Sequence, residues 1–192
     1  MVNTMTYKLS CDFNDVAPLL SPARLRGRDE LLADWRVVPA TPGLYAVWSD
    51  IAFDGMNSSS LRCDGFALAY VGRAGGKGQG ALRHRLRQHL RGRCASSTLR
   101  RALAALLRKE LGLQPALSSS GKLQLIGDGE DRLSGWLSDH ARISWMTHSD
   151  PAALERALIH ALSPPLNIEG APRVSTLKKA RVQLLQSARA LG

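Results

Sequence analysis

Two short tyrosine-containing segments followed by an arginine-rich segment constrain the fold of this chain more than any other feature. The first two, residues 43–48 and 66–72, are apolar and rich in residues that favour β-strands. The third, residues 81–91, carries a leucine at every fourth position, which is the spacing of a helix with one apolar face. We therefore predict two antiparallel strands that lead into a basic helix.

Periodicity and turn residues predict the remaining elements. Helices are expected over residues 29–35, 98–111, 132–140, 151–162 and 177–191. Strands are expected over residues 122–126 and 142–147, and loops over residues 49–65 and 113–121. Ser96 or Ser97 is expected to cap the second basic helix. We divide the chain into an N-terminal appendage (1–40) that packs on the core, a central domain (41–170) and a basic C-terminal helix (171–192).

The charge distribution indicates a polyanionic partner, most often nucleic acid. The net charge is +10, and residues 65–109 hold eleven Lys or Arg without a single Asp or Glu. The tail after Glu169 is also free of acidic residues. The alternative interpretation is a solvated cationic surface, although a generally basic protein would intersperse acidic residues. The side chains that we expect to contact phosphate are Arg73, Lys77, Arg83, Arg87, Arg91 and Arg93.

Several classes of protein are disfavoured. The cysteines (Cys11, Cys63 and Cys94) form no CxxC pair, so we expect neither a zinc site nor a disulfide framework, and a reduced cytoplasmic setting fits best. Neither a signal peptide nor a membrane span is recognisable. The glycine-rich residues 75–80 follow a strand but match neither phosphate-loop pattern, so we interpret them as a flexible turn.

The residues that follow the strands suit cleavage of a phosphodiester, which needs an activated water and charge stabilisation at the phosphate. Glu155 lies among apolar residues near the start of its helix, and one carboxylate with several waters can hold a divalent metal. The alternative is a surface glutamate paired with Arg156 or Arg142. The sequence alone leaves both interpretations open.

Four further side chains belong to the same hypothesis. Arg85 and His89 share one helix face; a guanidinium binds phosphate with a planar fork, and an imidazole transfers protons near neutral pH. Tyr45 and Tyr70 would lie on adjacent strands, each close to a glycine. The alternatives are half-buried core tyrosines and a solvated arginine.

The order of these residues resembles the GIY-YIG endonuclease superfamily. Gly43-Leu44-Tyr45 and Tyr70-Val71-Gly72 are similar to its paired signature, and the arginine helix, the Glu155 helix and Asn167 follow in the family's order. Leucine and valine replace the usual isoleucines of the signature. Tyr70 follows Tyr45 by 25 positions, which is a long step for this family. Insertions near 49–66 and 113–135 resemble those of restriction-enzyme members.

The resemblance implies an α/β fold of the α+β type, with a small three-stranded antiparallel sheet flanked by helices. It also implies metal-dependent hydrolysis of DNA. Tyr45 would orient or deprotonate the attacking water, Tyr70 would hold water or phosphate, and Arg85 would bind the scissile phosphate.

The remaining implied roles belong to four residues. His89 would assist proton transfer, and Asn167 would orient the site by hydrogen bonding. Glu155 would ligate a single Mg²⁺ or Mn²⁺, and Arg73 corresponds to a basic residue that some members use near the phosphate.

Three functional hypotheses follow. The first is a metal-dependent endonuclease acting on DNA, with duplex DNA as the expected substrate. The second is a non-catalytic nucleic-acid-binding module that retains the fold, and the third is a nuclease acting on RNA or branched DNA. The low content of aromatic residues disfavours base stacking, and this argues against the third hypothesis. A double-strand cut needs a homodimer or sequential nicks, and the C-terminal helix would supply a dimer face or cover the core.

Overall fold

The computed structural model of the chain describes residues 13–53, 56, 61–75, 81–168 and 175–190. At its centre is an antiparallel sheet in which β2 (Gly43–Ser49) lies between β4 (Phe66–Ala74) and β7 (Ala141–Thr147). Two-residue strands extend both edges, with β1 (Arg26–Gly27) beside β7 and β3 (Arg62–Cys63) beside β4. The predicted α+β fold with an antiparallel sheet is confirmed, and the sheet has five strands instead of three because a short strand is added at each edge.

Both faces of the sheet are covered, so all seven residues of β2 are buried. Successive side chains of a strand point to opposite faces. Tyr45 and Val47 accordingly lie in one hydrophobic core, whereas Leu44, Ala46 and Trp48 lie in a second. This double burial explains why the segment is a continuous apolar run instead of an alternating one.

Helices pack against each face through their apolar sides. The helices with buried residues in the first core are α2 (Arg28–Ala33), α3 (Leu82–Leu90), α4 (Thr98–Leu106), α5 (Gly129–His140) and α7 (Ser175–Ala190). Those with buried residues in the second core are α1 (Phe13–Leu20) and α6 (Pro151–Leu162). No helix of the described ranges is both long and apolar enough to cross a bilayer.

The prediction of a loop over residues 113–121 is wrong in part. Residues Pro115–Leu117 form β5, which pairs with β6 (Leu123–Leu125) as a separate two-stranded sheet. Gly121, with φ of +71°, lies in the turn between them. The loop was predicted because the serine-rich turn dominates the local composition. The three-residue strand is stabilised by pairing with β6 and by packing against α7, which local composition does not show.

The N-terminal residues contain an additional helix that the sequence did not predict. Helix α1 has Pro18 in its interior, a residue that normally argues against a helix. Tertiary contacts override that preference: the Ser144 hydroxyl donates to the carbonyl of Leu19 at 2.5 Å and accepts from the Trp48 indole at 2.9 Å. This buried chain of hydrogen bonds joins α1 to β2 and β7.

Candidate active site

The glycine of the second tyrosine strand allows the two phenol rings to approach each other. Gly72 of β4 is the register partner of Tyr45 on β2. A Cβ atom at Gly72 would overlap the Tyr45 ring and approach the Tyr70 ring to 2.8 Å, closer than real Cβ contacts come. With hydrogen at this position, the ring centroids of Tyr45 and Tyr70 lie 6.1 Å apart.

The glycine of the first strand has a similar role at the other end of the site. A Cβ atom on Gly43 would overlap the carbonyl of Met146 on β7 and approach the Leu82 side chain to 2.7 Å. Leu82 is the first residue of α3, and its backbone N–H donates to Thr41 O at 3.0 Å. Gly43 therefore lets the arginine helix begin directly against the sheet, which brings that helix beside the tyrosines.

A buried chain of hydrogen bonds runs behind Tyr45. Its hydroxyl lies 2.6 Å from Nε2 of His89, and Nδ1 of His89 lies 2.7 Å from the Ser97 hydroxyl. All three side chains are fully buried. Ser97 is also the N-cap of α4 and accepts from the Arg100 backbone N–H at 3.0 Å. Of the two predicted caps, Ser97 is thus the observed one, and it fixes the imidazole to a helix terminus.

Burial keeps both partners of this chain neutral. It raises the pKa of Tyr45 well above 10.0, and the nearby Tyr70 adds to the rise. Burial also lowers the pKa of His89 well below 6.5, and the positive charges of Arg85, Arg100 and Arg101 lower it further. At neutral pH the pair is a phenol facing an uncharged imidazole. One ring nitrogen of that imidazole can therefore accept a proton.

A pocket of about 390 Å³ opens in front of the tyrosines. It is lined by Tyr45, Tyr70, Arg73, Arg85, Thr98, Ala152, Glu155, Arg156, Ile159, Leu166, Asn167, Ile168 and Arg181. The pocket thus gathers most of the sequence-predicted site. Of the predicted catalytic residues, His89 alone does not line it and reaches it only through Tyr45. Among the described lining residues, four arginines face one carboxylate, a balance of charge that suits an anion.

Arg85 is the pocket arginine carried by α3. It lies one helical turn before His89, and its guanidinium donates to the Gln88 side-chain carbonyl at 3.1 Å. That bond occupies one of the five guanidinium donors, which leaves the planar fork able to bind phosphate oxygens. Tyr70, whose hydroxyl lies 3.3 Å from the Thr98 hydroxyl, lines the same pocket. Burial raises the Tyr70 pKa, so its phenol is also protonated at neutral pH.

Glu155 forms an ion pair with Arg73 across the pocket. Nε of Arg73 lies 2.7 Å from Oε2 of Glu155, and the two side chains are 30% and 19% exposed. Leu154 and Leu158 bury one face of α6 in the second core, which leaves Glu155 on the pocket side. The sequence-based alternative, a surface pair with Arg156 or Arg142, is not what forms.

Asn167 binds the edge of β4 that β3 leaves unpaired, through its side-chain amide. Its Oδ1 accepts from the Val71 backbone N–H at 2.9 Å, and its Nδ2 donates to the Val71 carbonyl at 2.7 Å. The adjacent Leu166 N–H donates to the Ala69 carbonyl at 2.9 Å. Strand β3 pairs only with the start of β4, so these bonds continue the pairing along the strand segment that carries Tyr70.

The pocket fits a hydrated divalent cation with a single protein ligand. Within the described ranges, no three His, Cys, Asp or Glu side chains group as a metal-binding cluster, and Glu155 is the carboxylate of the pocket. Mg²⁺ keeps several waters and commonly uses one or two carboxylates together with substrate phosphates. The positive charges of the four arginines disfavour binding of a cation alone, and the negative charge of a bound phosphate would offset them. This donor set therefore favours joint binding of metal and substrate.

The structure separates the predicted phosphate-contacting residues. Arg83 donates to the Val38 carbonyl at 2.7 Å, and the Arg87 guanidinium stacks over the Trp35 ring at 5.2 Å, so both face the N-terminal segment. Arg91 and Arg93 are exposed beyond the end of α3. Among the described members of this set, Arg73 alone lines the pocket. Lys77 lies outside the described residues.

Sequence reasoning missed the side chains that support the site from other helices. Arg100 is fully buried, and its guanidinium donates to the Glu130 carboxylate at 2.8 Å and, more weakly, to the His89 carbonyl at 3.5 Å. Thr98 contacts Tyr70, and Arg181 of α7 lines the pocket. Because Arg100 lies in a row of basic residues, no local signal marked it as buried.

The family comparison covers the part of the chain that forms this pocket. Residues 43–190 match the family model described as the GIY-YIG catalytic domain, which covers both tyrosine strands and continues through α7. Comparison with curated proteins and with solved structures finds no significant match. With a match over more than half of its length, the chain belongs to the GIY-YIG catalytic domain family.

Proposed function

We propose that this chain is a metal-dependent DNA endonuclease that hydrolyses phosphodiester bonds in the pocket in front of Tyr45. The observation that carries the proposal is the convergence of Tyr45, Tyr70, Arg85 and Glu155, from two strands and two helices, on one anion-suited pocket. A neutral imidazole lies directly behind the phenol that faces this pocket.

The proposed proton path runs from the attacking water to Tyr45 and on to His89. The high pKa of Tyr45 means that little phenolate exists beforehand. Its hydroxyl oxygen therefore takes the water proton while its own proton moves to Nε2 of His89, 2.6 Å away. The bond between Nδ1 and Ser97 orients the ring for this transfer. The new oxygen–phosphorus bond forms as the bond to the leaving oxygen breaks.

Arginine side chains supply the charge stabilisation. Arg85 would bind the non-bridging oxygens of the scissile phosphate, where negative charge builds up as water attacks. Tyr70 would donate its hydroxyl hydrogen to the same phosphate. Glu155 holds Arg73 at the pocket wall, within reach of a bound anion. These contacts account for binding and stabilisation without a second carboxylate.

Glu155 would hold one Mg²⁺ or Mn²⁺ ion, which as a Lewis acid stabilises negative charge on the phosphate and the leaving oxygen. Asn167 would keep β4, and with it Tyr70 and Arg73, in register with the pocket. DNA, in its duplex form, is the proposed substrate because the net charge of +10 favours an extended polyanion. Action as a homodimer and a cytoplasmic setting remain predictions from the sequence.

A plasmid cleavage assay tests the proposal. Supercoiled plasmid is incubated with Mg²⁺ or Mn²⁺ and with the wild-type protein, Glu155→Gln or Tyr45→Phe. Glu110→Gln serves as a matched control, because Glu110 is an exposed carboxylate that does not line the pocket. We expect nicked or linear product with the wild type and with Glu110→Gln, and a loss of at least about 100-fold in rate for the two site variants.

Either of two results would contradict the proposal. Cleavage that survives Glu155→Gln unchanged would mean that this pocket does not catalyse the reaction. Intact plasmid with both metals, together with a retained gel shift, would favour the alternative of a non-catalytic nucleic-acid-binding module.

A further inference from the structure

Arg181 interrupts the packing face of the C-terminal helix α7. Leu177, Leu184 and Ala188 are buried at relative exposures of 0%, 2% and 0%, and they follow the spacing of one helix face. Arg181 occupies the remaining position of that stripe, four residues after Leu177 and three before Leu184. An apolar residue would complete the stripe. A half-buried guanidinium at this position therefore needs a reason other than packing.

The side chain of Arg181 reaches the candidate active site. It lines the same pocket as Tyr45, Arg85 and Glu155, although α7 begins well after the catalytic segments end. Within the described part of the chain, its guanidinium has neither a hydrogen bond nor an ion pair. All of its donors are therefore available to a molecule that enters the pocket.

A like charge lies close to this guanidinium. Burial lowers the pKa of Arg101 on α4, and the charges of Arg181 and Arg85 lower it further. Two donors of Arg101 reach the backbone carbonyls of Cys94 and Ala95, so this cation is held in place. Repulsion between these guanidinium groups destabilises the free protein, and a bound anion relieves that repulsion.

We propose that Arg181 binds a second DNA backbone phosphate, adjacent to the scissile one, so that α7 forms part of the substrate-binding surface. This proposal rests on the proposed function, since Arg85 would bind the scissile phosphate. A pocket of about 390 Å³ is larger than one phosphate group. Each DNA strand carries one charge per roughly 3.4 Å of helix axis, so a neighbouring phosphate lies within reach.

The test measures DNA affinity in a background that does not cleave. Glu155→Gln protein and its double variant with Arg181→Gln are titrated onto a fluorescein-labelled duplex at several salt concentrations, without metal. Arg189→Gln in the same background is the matched control, because it removes the same charge from an exposed position of the same helix. We expect Arg181→Gln to weaken binding roughly tenfold. It should also reduce the slope of log K against log salt by about 0.9, whereas Arg189→Gln changes affinity less than about twofold.

Arg181→Leu separates binding from packing. Leucine completes the apolar stripe of α7 and removes one of the repelling charges, so this variant should melt at a higher temperature yet bind DNA as weakly as Arg181→Gln. Equal effects of Arg181→Gln and Arg189→Gln, or a leucine variant with wild-type affinity, would overturn the assignment.

The two proposals fail in distinguishable ways. A wild-type protein that cleaves plasmid while the Arg181 and Arg189 variants behave alike refutes the second phosphate contact and leaves the proposed function standing. A wild-type protein that neither binds nor cleaves DNA refutes both.

Discussion

Replacement of Asn167 by alanine should remove two hydrogen bonds from the buried edge of β4. The amide of Asn167 satisfies both the N–H and the C=O of Val71, at 2.9 and 2.7 Å, and Asn167 itself is only 5% exposed. Val71 is fully buried, so its two backbone groups would lose their partners in a largely water-free site. The same strand carries Tyr70 and Arg73, so these two hydrogen bonds also hold two residues that line the pocket.

The magnitude follows from the cost of unpaired buried groups. Each buried backbone donor or acceptor left without a partner costs about 1–3 kcal/mol. Because the pocket adjoins Asn167 and admits water to part of the vacated space, we expect a total loss of about 2–4 kcal/mol in the free energy of unfolding. For a chain of this size, such a loss lowers the melting temperature by roughly 5–15 °C.

Urea denaturation of Asn167→Ala and of Gln88→Ala measures this cost. Gln88 also makes two side-chain hydrogen bonds, but its partners His84 and Arg85 are on the surface of α3 and at the pocket, so its replacement should cost less than about 0.5 kcal/mol. Amide hydrogen exchange of Val71 should accelerate in Asn167→Ala alone. A loss below about 0.5 kcal/mol with unchanged exchange would refute the argument that Asn167 closes the edge of β4.

Three further predictions concern the interior around the site. Gly72→Ala places a methyl group inside the contact with the β2 tyrosine and should cost about 1–3 kcal/mol by urea denaturation. Gly135→Ala, where no atom lies within 4 Å of the added group, should instead stabilise its helix by about 0.5–1 kcal/mol, and equal effects would contradict the steric argument. Arg100→Met leaves the Glu130 carboxylate without its cation and should lower the free energy of unfolding by about 3–5 kcal/mol. Part of this stability should return when Glu130→Gln is added to the variant. Purely additive losses in the double variant would refute the pairing. Because the pKa of His89 is lowered in the folded state, the unfolded state binds more protons once the pH falls below about 6.5, so stability should decline there by up to about 1.4 kcal/mol per pH unit. His89→Gln should lose that part of the pH dependence, and an unchanged stability profile would show that His89 does not titrate in this way.

Local patterns in the sequence were enough to predict the central elements. The apolar runs, the leucine spacing of residues 81–91 and the Asp150-Pro151 helix start each depend on nearby residues, and the structure has β2, β4, α3 and α6 at these places. The Asp150 carboxylate caps α6, as its position before a proline suggests. Elements held mainly by distant contacts were not predicted: α1 contains a proline, and β5 has only three residues.

The candidate site could be predicted as a set of residues but not as a set of contacts. The order of tyrosines, arginine, glutamate and asparagine is a property of the chain itself. The choice of Arg73 over Arg142 as the partner of Glu155 depends on α6 packing across β4. Arg142 instead stacks over the Phe66 ring at 4.9 Å. Arg73 and Glu155 are far apart in sequence, so no local sequence pattern indicates that they pair.

The sequence by itself determined the charge of this protein, the order of its central strands and helices, and its family signature. The charge follows directly from composition, and the elements follow from periodicity and helix caps, which depend on a few neighbouring residues. Only the tertiary structure decided which basic residues line the pocket. Arg83 and Arg87 turn toward the N-terminal segment, whereas Arg181 enters the pocket from α7. The direction of an arginine side chain depends on which helix face is buried, and long-range packing fixes that face.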